Sequence, residues 1–207
     1  MPENKPLTIP ALSLWRPWAG LLFNGKDVEN RSWKTHHRGP LLIHAAAKRF
    51  DYDGLDPAIE LLTRHRGFNP TPQNRGHITR VMTDTMPECW TQGKIIGAVY
   101  LAGCKHYDDV EPGKRSLWHF PDMYGWMMVG KPYLFPTPIA YRGRQRLFSV
   151  PVDILSWQFQ NTLLAWKAMS RPVDPKEWAH IDQVCRKYCD PNPNPCKPED
   201  LYEPRIP

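Results

Sequence analysis

Residues 12–48 read LSLWRPWAGLLFNGKDVENRSWKTHHRGPLLIHAAAK. Ala11–Trp15 alternates weakly and predicts a strand. Pro17 suits the first position of a helix, where a missing N–H costs nothing. Trp18, Leu21 and Leu22 follow at the i, i+3, i+4 spacing of one helix face, and Gly25 suits the helix end. Lys26 to Trp33 predicts a second strand, with Glu29, Arg31 and Trp33 on one face and Val28, Asn30 and Ser32 on the other. His36–Pro40 is a loop and Leu41–Ala46 a short buried strand. Charged and aromatic residues held between two apolar strands are how a polar pocket is built.

Outward from this stretch, Lys94–Gly103 (KIIGAVYLAG) is the clearest strand, apolar nearly throughout and so expected to be buried on both faces. Trp126–Val129 is expected to be a strand, Pro132–Pro138 a proline-interrupted edge segment, and Leu147–Ile154 the last strand. Residues 51–93 are irregular, with one helix expected over Pro57–Arg66 (Ile59, Leu61 and Leu62 inward) and another over His77–Met86. His106–Gly113 is an acidic loop. Strands broken by Gly and Pro turns, with an early short helix, predict an α+β fold: a small mixed β-barrel with flanking helices. The division expected is a polar tail at 1–10, a domain at 11–155 with an insert at about 51–93, and a helical, Pro-rich C-terminal extension at 156–207. In the extension, Phe159–Met169 and Lys176–Tyr188 look helical, and the end, DPNPNPCKPEDLYEPRIP, extended or disordered.

The chain has 207 residues, enough for one domain and an extension. Its formal charge of +6 is unevenly spread. Residues 12–49 hold seven Lys/Arg against Asp27 and Glu29, and residues 131–150 hold Lys131, Arg142, Arg144 and Arg146 with no acid. Two basic segments on a mildly acidic background point to a polyanionic partner. No stretch approaches the roughly 20 apolar residues that span a bilayer, so no membrane is expected. The start, MPENKPLTIP, has no apolar signal region, and five cysteines without regular pairing fit a reducing compartment, so a cytoplasmic location is expected. Nothing sets the oligomeric state.

Lys26, Glu29 and Arg31 are spaced K-x-x-E-x-R. Arginine offers a rigid fork to phosphate or a base edge, lysine a movable point charge, and glutamate an acceptor for exocyclic amines. A Glu–Arg surface pair of no function would show the same spacing. The surroundings resemble the ASCH domain, whose helix-to-strand signature is G-x-K-x-x-E-x-R. Lys26, Glu29 and Arg31 keep that signature, while Asn24 stands at the leading glycine and Gly25 follows it. KIIGAVYLAGC resembles the family's central strand. YGWMMVGKPYLFPTPIAYRGRQRLFSV resembles its closing segment, with a P-x-x-x-x-G-x-Q turn through Pro138, Gly143 and Gln145. The resemblance covers roughly residues 11–154.

The resemblance implies a PUA-like β-barrel with a cleft beside the first helix, taking a nucleotide or a single-stranded nucleic acid, RNA preferred. It implies that Lys26, Glu29 and Arg31 line the cleft. Arg16, Lys34, Arg38, Arg142, Arg144 and Arg146 are then candidates for phosphate contacts, which set affinity and salt dependence rather than sequence preference. Trp15, Trp18 and Trp33 are candidates for stacking on bases, although helix spacing points Trp18 inward.

Some ASCH proteins resemble amidohydrolases of N4-acetylcytidine that use a Lys, a Thr nucleophile and a Glu. Here Lys26 matches the lysine, Glu29 holds the threonine's place, and strand parity puts Ser32 on the opposite face, with Thr35 nearby. If the chain were an enzyme, Lys26 and Glu29 would be the acid–base candidates; for cleavage of RNA, His36, His37 and His44 would be considered. His180, Cys185, Cys189 and Cys196 cluster near the C-terminus, but C-x3-C with one loose cysteine is a poor zinc pattern, and neither metal nor cofactor is expected. A protein-interaction role of the Pro-rich tail is a further alternative.

Overall fold

The computed structural model describes residues 7–47, 55–65 and 86–155. Its elements are β1 (Thr8–Leu14), α1 (Trp18–Leu21), β2 (Val28–Arg31), β3 (Gly39–Ala45), α2 (Leu55–His65), β4 (Lys94–His106), β5 (Tyr124–Ala140) and β6 (Leu147–Pro151), with single 3-10 turns between some of them. The six strands form one sheet in the order β2-β5-β4-β3-β1-β6. β1 and β3 run parallel, and the other ladders are antiparallel. This is a mixed α+β arrangement, as expected. Among the described residues no ladder joins β2 to β6, the two ends of the order.

β3 lies inside the sheet and is buried at all seven positions. Alternation divides its neighbours between two faces. Ile9, Ala11, Leu42, Ile95, Ala98, Phe148 and Val150 pack on one. Leu12, Leu14, Leu41, Ile43, Val99, Leu101 and Trp126 pack on the other, together with Ala19 of α1 and Leu22 at its end. The apolar run of β4 is buried from Ile95 to Val99, and beyond Tyr100 it carries exposed positions as well.

The expected break between Trp126–Val129 and Pro132–Pro138 is absent: both lie in β5, a single strand of 17 residues. Proline removes ladder donors, so it is tolerated where one side of a strand is unpaired or where the register slips. Both conditions hold. β2 covers only Tyr124–Met127 of β5, and the β4 ladder shifts register between Val129 and Tyr133 and between Leu134 and Ile139. Pro132, Pro136 and Pro138 fall within those shifts. The edge character was legible; the continuity was not.

α1 ends as its sequence directs. Phe23 N–H bonds Gly20 O at 3.0 Å and Asn24 N–H bonds Leu21 O at 2.9 Å, tightening the last turn. Lys26 N–H then closes back on Leu21 O at 3.0 Å across Gly25, whose φ is +105°. Trp18 opens the helix with Pro17 as its cap, one residue later than expected. β2 begins at Val28, so Lys26 belongs to the helix end rather than to the strand, and Ser32 and Trp33 have already left it. α2 buries Ala58, Ile59, Leu62 and Thr63, with Leu61 half-buried, against Leu21, Val28, Met86, Cys89 and Trp118. A Cβ on Gly25 would also lie 2.5 Å from His65 Nε2 of α2. Gly25→Ala is therefore expected to cost about 1–2 kcal/mol for the left-handed backbone, measured as a lower urea midpoint at unchanged slope.

The expected helices at His77–Met86, Phe159–Met169 and Lys176–Tyr188, the cluster of His180, Cys185, Cys189 and Cys196, and the Pro-rich tail lie outside the described residues, except that Met86 itself is described and buried. No helix of the described residues is long and apolar enough to cross a membrane.

Candidate functional site

The helix end and β2 bring Lys26, Glu29 and Arg31 into one chain of contacts. Lys26 Nζ bonds Glu29 Oε2. Arg31 Nη2 lies 3.2 Å from Glu29 Oε1. Lys26 and Glu29 are buried, at 3% and 6% exposure, while the Arg31 side chain keeps 25%. Lys26 Nζ also stands 5.9 Å over the Trp18 ring, which gives the ammonium an attractive face. Burial pulls the Lys26 pKa below its ordinary value, and the Glu29 carboxylate partly restores it. Two cations against one carboxylate leave the cluster positive, with Arg31 as its accessible member. Asn24, at the signature's leading glycine position, donates its amide to Gly20 O at 2.9 Å and to Glu88 Oε1 at 2.5 Å, so it ties the helix end to the turn at Pro87–Cys89.

Ser13 of β1 is where the two basic segments meet. Arg31 Nη2 donates to its carbonyl at 3.2 Å. Its hydroxyl lies 3.0 Å from His44 Nδ1, and His44 Nε2 lies 3.0 Å from Tyr141 O. A carbonyl only accepts, so Nε2 carries the proton and Nδ1 accepts from Ser13 Oγ–H. His44 is 2% exposed, and burial lowers its pKa, partly offset by the bond to Tyr141. The turn after β5 packs on both groups: a Cβ on Gly143 would fall 2.3 Å from His44 Cε1 and 2.7 Å from Ser13 Oγ. Arg142, Arg144 and Arg146 project from this turn and are exposed.

Other expected site residues are more scattered. Arg16 is half-buried, its Nη1 donating to Trp90 O at 3.3 Å. Trp15 is 52% exposed. Trp18 meets Phe120 edge-on at 6.2 Å, and Trp33 meets Trp126 edge-on at 4.6 Å, so both rings are committed to packing. Lys34 is exposed. Arg38 is exposed and turned back onto Thr35 O and His37 O. Lys131 lies in the middle of β5, apart from the arginines it neighbours in sequence, beside a cavity of about 480 Å3 lined by Phe23, Pro132, Tyr133 and Leu134. None of these lining residues belongs to the Lys26–Glu29–Arg31 cluster.

The hydroxyls considered beside Lys26 are otherwise engaged or directed. Ser32 is exposed, and Thr35 is buried with its Oγ1 accepting from His37 N–H at 3.1 Å. His37 is held to Pro40 O at 2.9 Å, and burial lowers its pKa. His36 is exposed. Sequence reasoning missed Ser13 altogether. It weighed His44 as a general acid or base or as a core or surface histidine, and no local rule pairs it with Ser13, 31 positions away, or with Tyr141, 97 positions away. The available signal was a polar residue within each of two apolar strands, which calls for a hydrogen-bond partner. Among the described residues no group of three His, Cys, Asp or Glu stands close enough to hold a metal.

A mixed six-stranded sheet, a short helix packed onto it, and a Lys–Glu–Arg chain with a buried Lys–Glu pair at their junction define a small α+β domain with a positive site beside its first helix. The match to the ASCH domain family model over residues 12–128, more than half the chain, makes this protein a member of that family. The family is generally linked to RNA binding. A stretch of 39 residues is 59% identical to activating signal cointegrator 1 of Homo sapiens, and equally to that of Mus musculus. It covers 18% of this chain and only 7% of either cointegrator, so the likeness is to one segment of a much longer protein.

Proposed function

We propose that this chain binds single-stranded nucleic acid, RNA in preference to DNA, on the surface where its two basic segments converge. The observation that carries the reading is the junction at Ser13: Arg31 from the first segment holds its carbonyl, and the turn bearing Arg142, Arg144 and Arg146 sits on its hydroxyl. Arg31 and the three turn arginines act on phosphates, with Lys34 and Arg16 extending the positive surface. Trp15, exposed beside Arg16, is the stacking platform. Lys26 and Glu29 are too deeply buried to grip a strand, and they act by holding Arg31 in place. The same bond supports a PUA-like barrel. β1 and β2 are separated by three strands in the sheet order, about 19 Å across a flat sheet, so an arginine side chain spans them only if the sheet curls toward closure.

The test is binding of a labelled single-stranded RNA over a salt series. Each phosphate contact on a single strand contributes about 0.7 to the log–log salt slope. The triple variant Arg142→Ala, Arg144→Ala, Arg146→Ala is therefore expected to flatten that slope by about 2. Absence of binding at low salt would remove the reading, and an unchanged slope would remove the turn from it.

A further inference from the structure

His44 is a buried histidine that the signature does not include, yet it joins three separate parts of the chain. It sits on β3, accepts from β1 and donates to the turn after β5. Phe148 of β6 meets its ring edge-on at 6.0 Å, and Tyr141 stacks on Phe148 at 6.1 Å. Gly143 closes over the ring with no room for a side chain. The turn bearing the three arginines is thus tied to β1 and β3 through this imidazole, while the Tyr141 N–H holds Gly93 O at 3.3 Å.

We propose that His44 is the positioning residue of the basic turn, and that its protonation releases the turn and weakens nucleic-acid binding. The inference rests on the nucleic-acid reading above and adds its regulation. The groups facing the ring are Ser13 from β1, Tyr141 and Gly143 from the turn, Phe148 from β6 and, across the ladder, Ile95 of β4. No carboxylate is among them, and Arg142 and Arg144 flank Gly143 in sequence. On protonation Nδ1 becomes a donor, and the Ser13 hydroxyl can turn to accept from it, so the hydrogen bond itself survives. What is new is a buried cation that no carboxylate of the described residues neutralises, beside a basic turn, and it is relieved by lifting the turn and hydrating the ring. The direction of the pH effect follows. Burial lowers the His44 pKa from the ordinary 6.5, so the closed turn is favoured at and above neutrality and lost as pH falls through that lowered value.

The experiment uses the full chain and fluorescein-labelled oligouridine. Binding is followed by anisotropy, and protection of backbone amides at 139–146 by hydrogen exchange corrected for intrinsic rates, between about pH 7.5 and about pH 5.5. On acidification the wild type is expected to lose protection in the turn and to lose affinity, by at most about tenfold because one histidine of ordinary pKa 6.5 can shift the opening equilibrium no further over this range, against the tightening that added positive charge alone would bring. His44→Gln, which keeps a donor and an acceptor but does not titrate, is expected to hold both readouts flat. His44→Phe is expected to leave the turn unprotected at every pH and to flatten the salt slope. Wild-type protection independent of pH, or His44→Gln following the wild type, overturns the inference while RNA binding stands. Failure to bind RNA at any pH, with the turn still responding, overturns the nucleic-acid reading and this inference with it. The glutamine variant and the wild-type pH series decide the matter even if the phenylalanine variant fails to fold.

Discussion

Glu29→Gln is expected to destabilise the folded chain by about 3–5 kcal/mol, the cost of leaving a buried charge without its partner. Glu29 is the common acceptor of Lys26 and Arg31. Arg31 keeps the Ser13 carbonyl and some contact with solvent, whereas Lys26 is 3% exposed and its ammonium bonds Glu29. With a neutral amide in its place, the buried ammonium must lose its proton or draw in water. Burial already lowers the Lys26 pKa, and removing the carboxylate lowers it further. A group whose folded pKa is depressed contributes stability that returns as pH rises. The deficit of Glu29→Gln should therefore shrink between about pH 7 and about pH 9. Adding Lys26→Met, which removes the stranded charge at similar volume, should recover most of the loss. Urea unfolding of the single and double variants at both pH values checks this, and a pH-independent deficit without rescue would mean that Lys26 is not the charge left behind.

Arg31→Ala is expected to weaken single-stranded RNA binding about 10–100-fold, on the scale of one or two charge-assisted hydrogen bonds. Its effect on stability should be smaller than that of Glu29→Gln, because Lys26 and Glu29 remain paired. Arg31→Lys is expected not to restore binding. One guanidinium nitrogen meets both Glu29 Oε1 and Ser13 O at 3.2 Å and Nε is buried, which leaves Nη1 for a ligand. A lysine amine that made those two bonds would have little left to offer. Anisotropy titrations of both variants at fixed low salt, alongside their unfolding midpoints, separate this from a loss of fold. Wild-type affinity in Arg31→Ala would place the ligand elsewhere.

The fold was legible wherever a local rule operates. Gly25 ends α1 as its conformational freedom predicts, Leu41–Ala45 is buried as its largely apolar sequence requires, and the K-x-x-E-x-R spacing does bring three charges together. Three features were hidden because they depend on distant partners. The continuity of β5 through Pro132, Pro136 and Pro138 depends on where β4 slips register. The depth of Lys26 depends on the capped turn that tucks it beneath Trp18. Parity along β2 seemed to align Trp33 with Glu29 and Arg31, but the strand stops at Arg31 and Trp33 packs on Trp126 instead. The Ser13–His44–Tyr141 chain was invisible for the same reason: its members are 31 and 97 positions apart.

The place of β1 in the sheet also governs the order in which the molecule can be assembled. β1 is flanked by β3 and by β6, and its partners in β6 run from Leu147 to Pro151. A nascent chain therefore holds β1 half-paired until β6 has left the ribosome. Such long-range pairing slows folding, because loop-closure entropy must be met before the contacts form. Throughout synthesis of β3, β4 and β5, the outer side of β1 stays open to any other strand that meets it. The nucleic-acid surface, which needs Ser13 and the turn just ahead of β6, is then among the last parts of the domain to exist, so a chain stalled before that turn has no ligand to hold it folded.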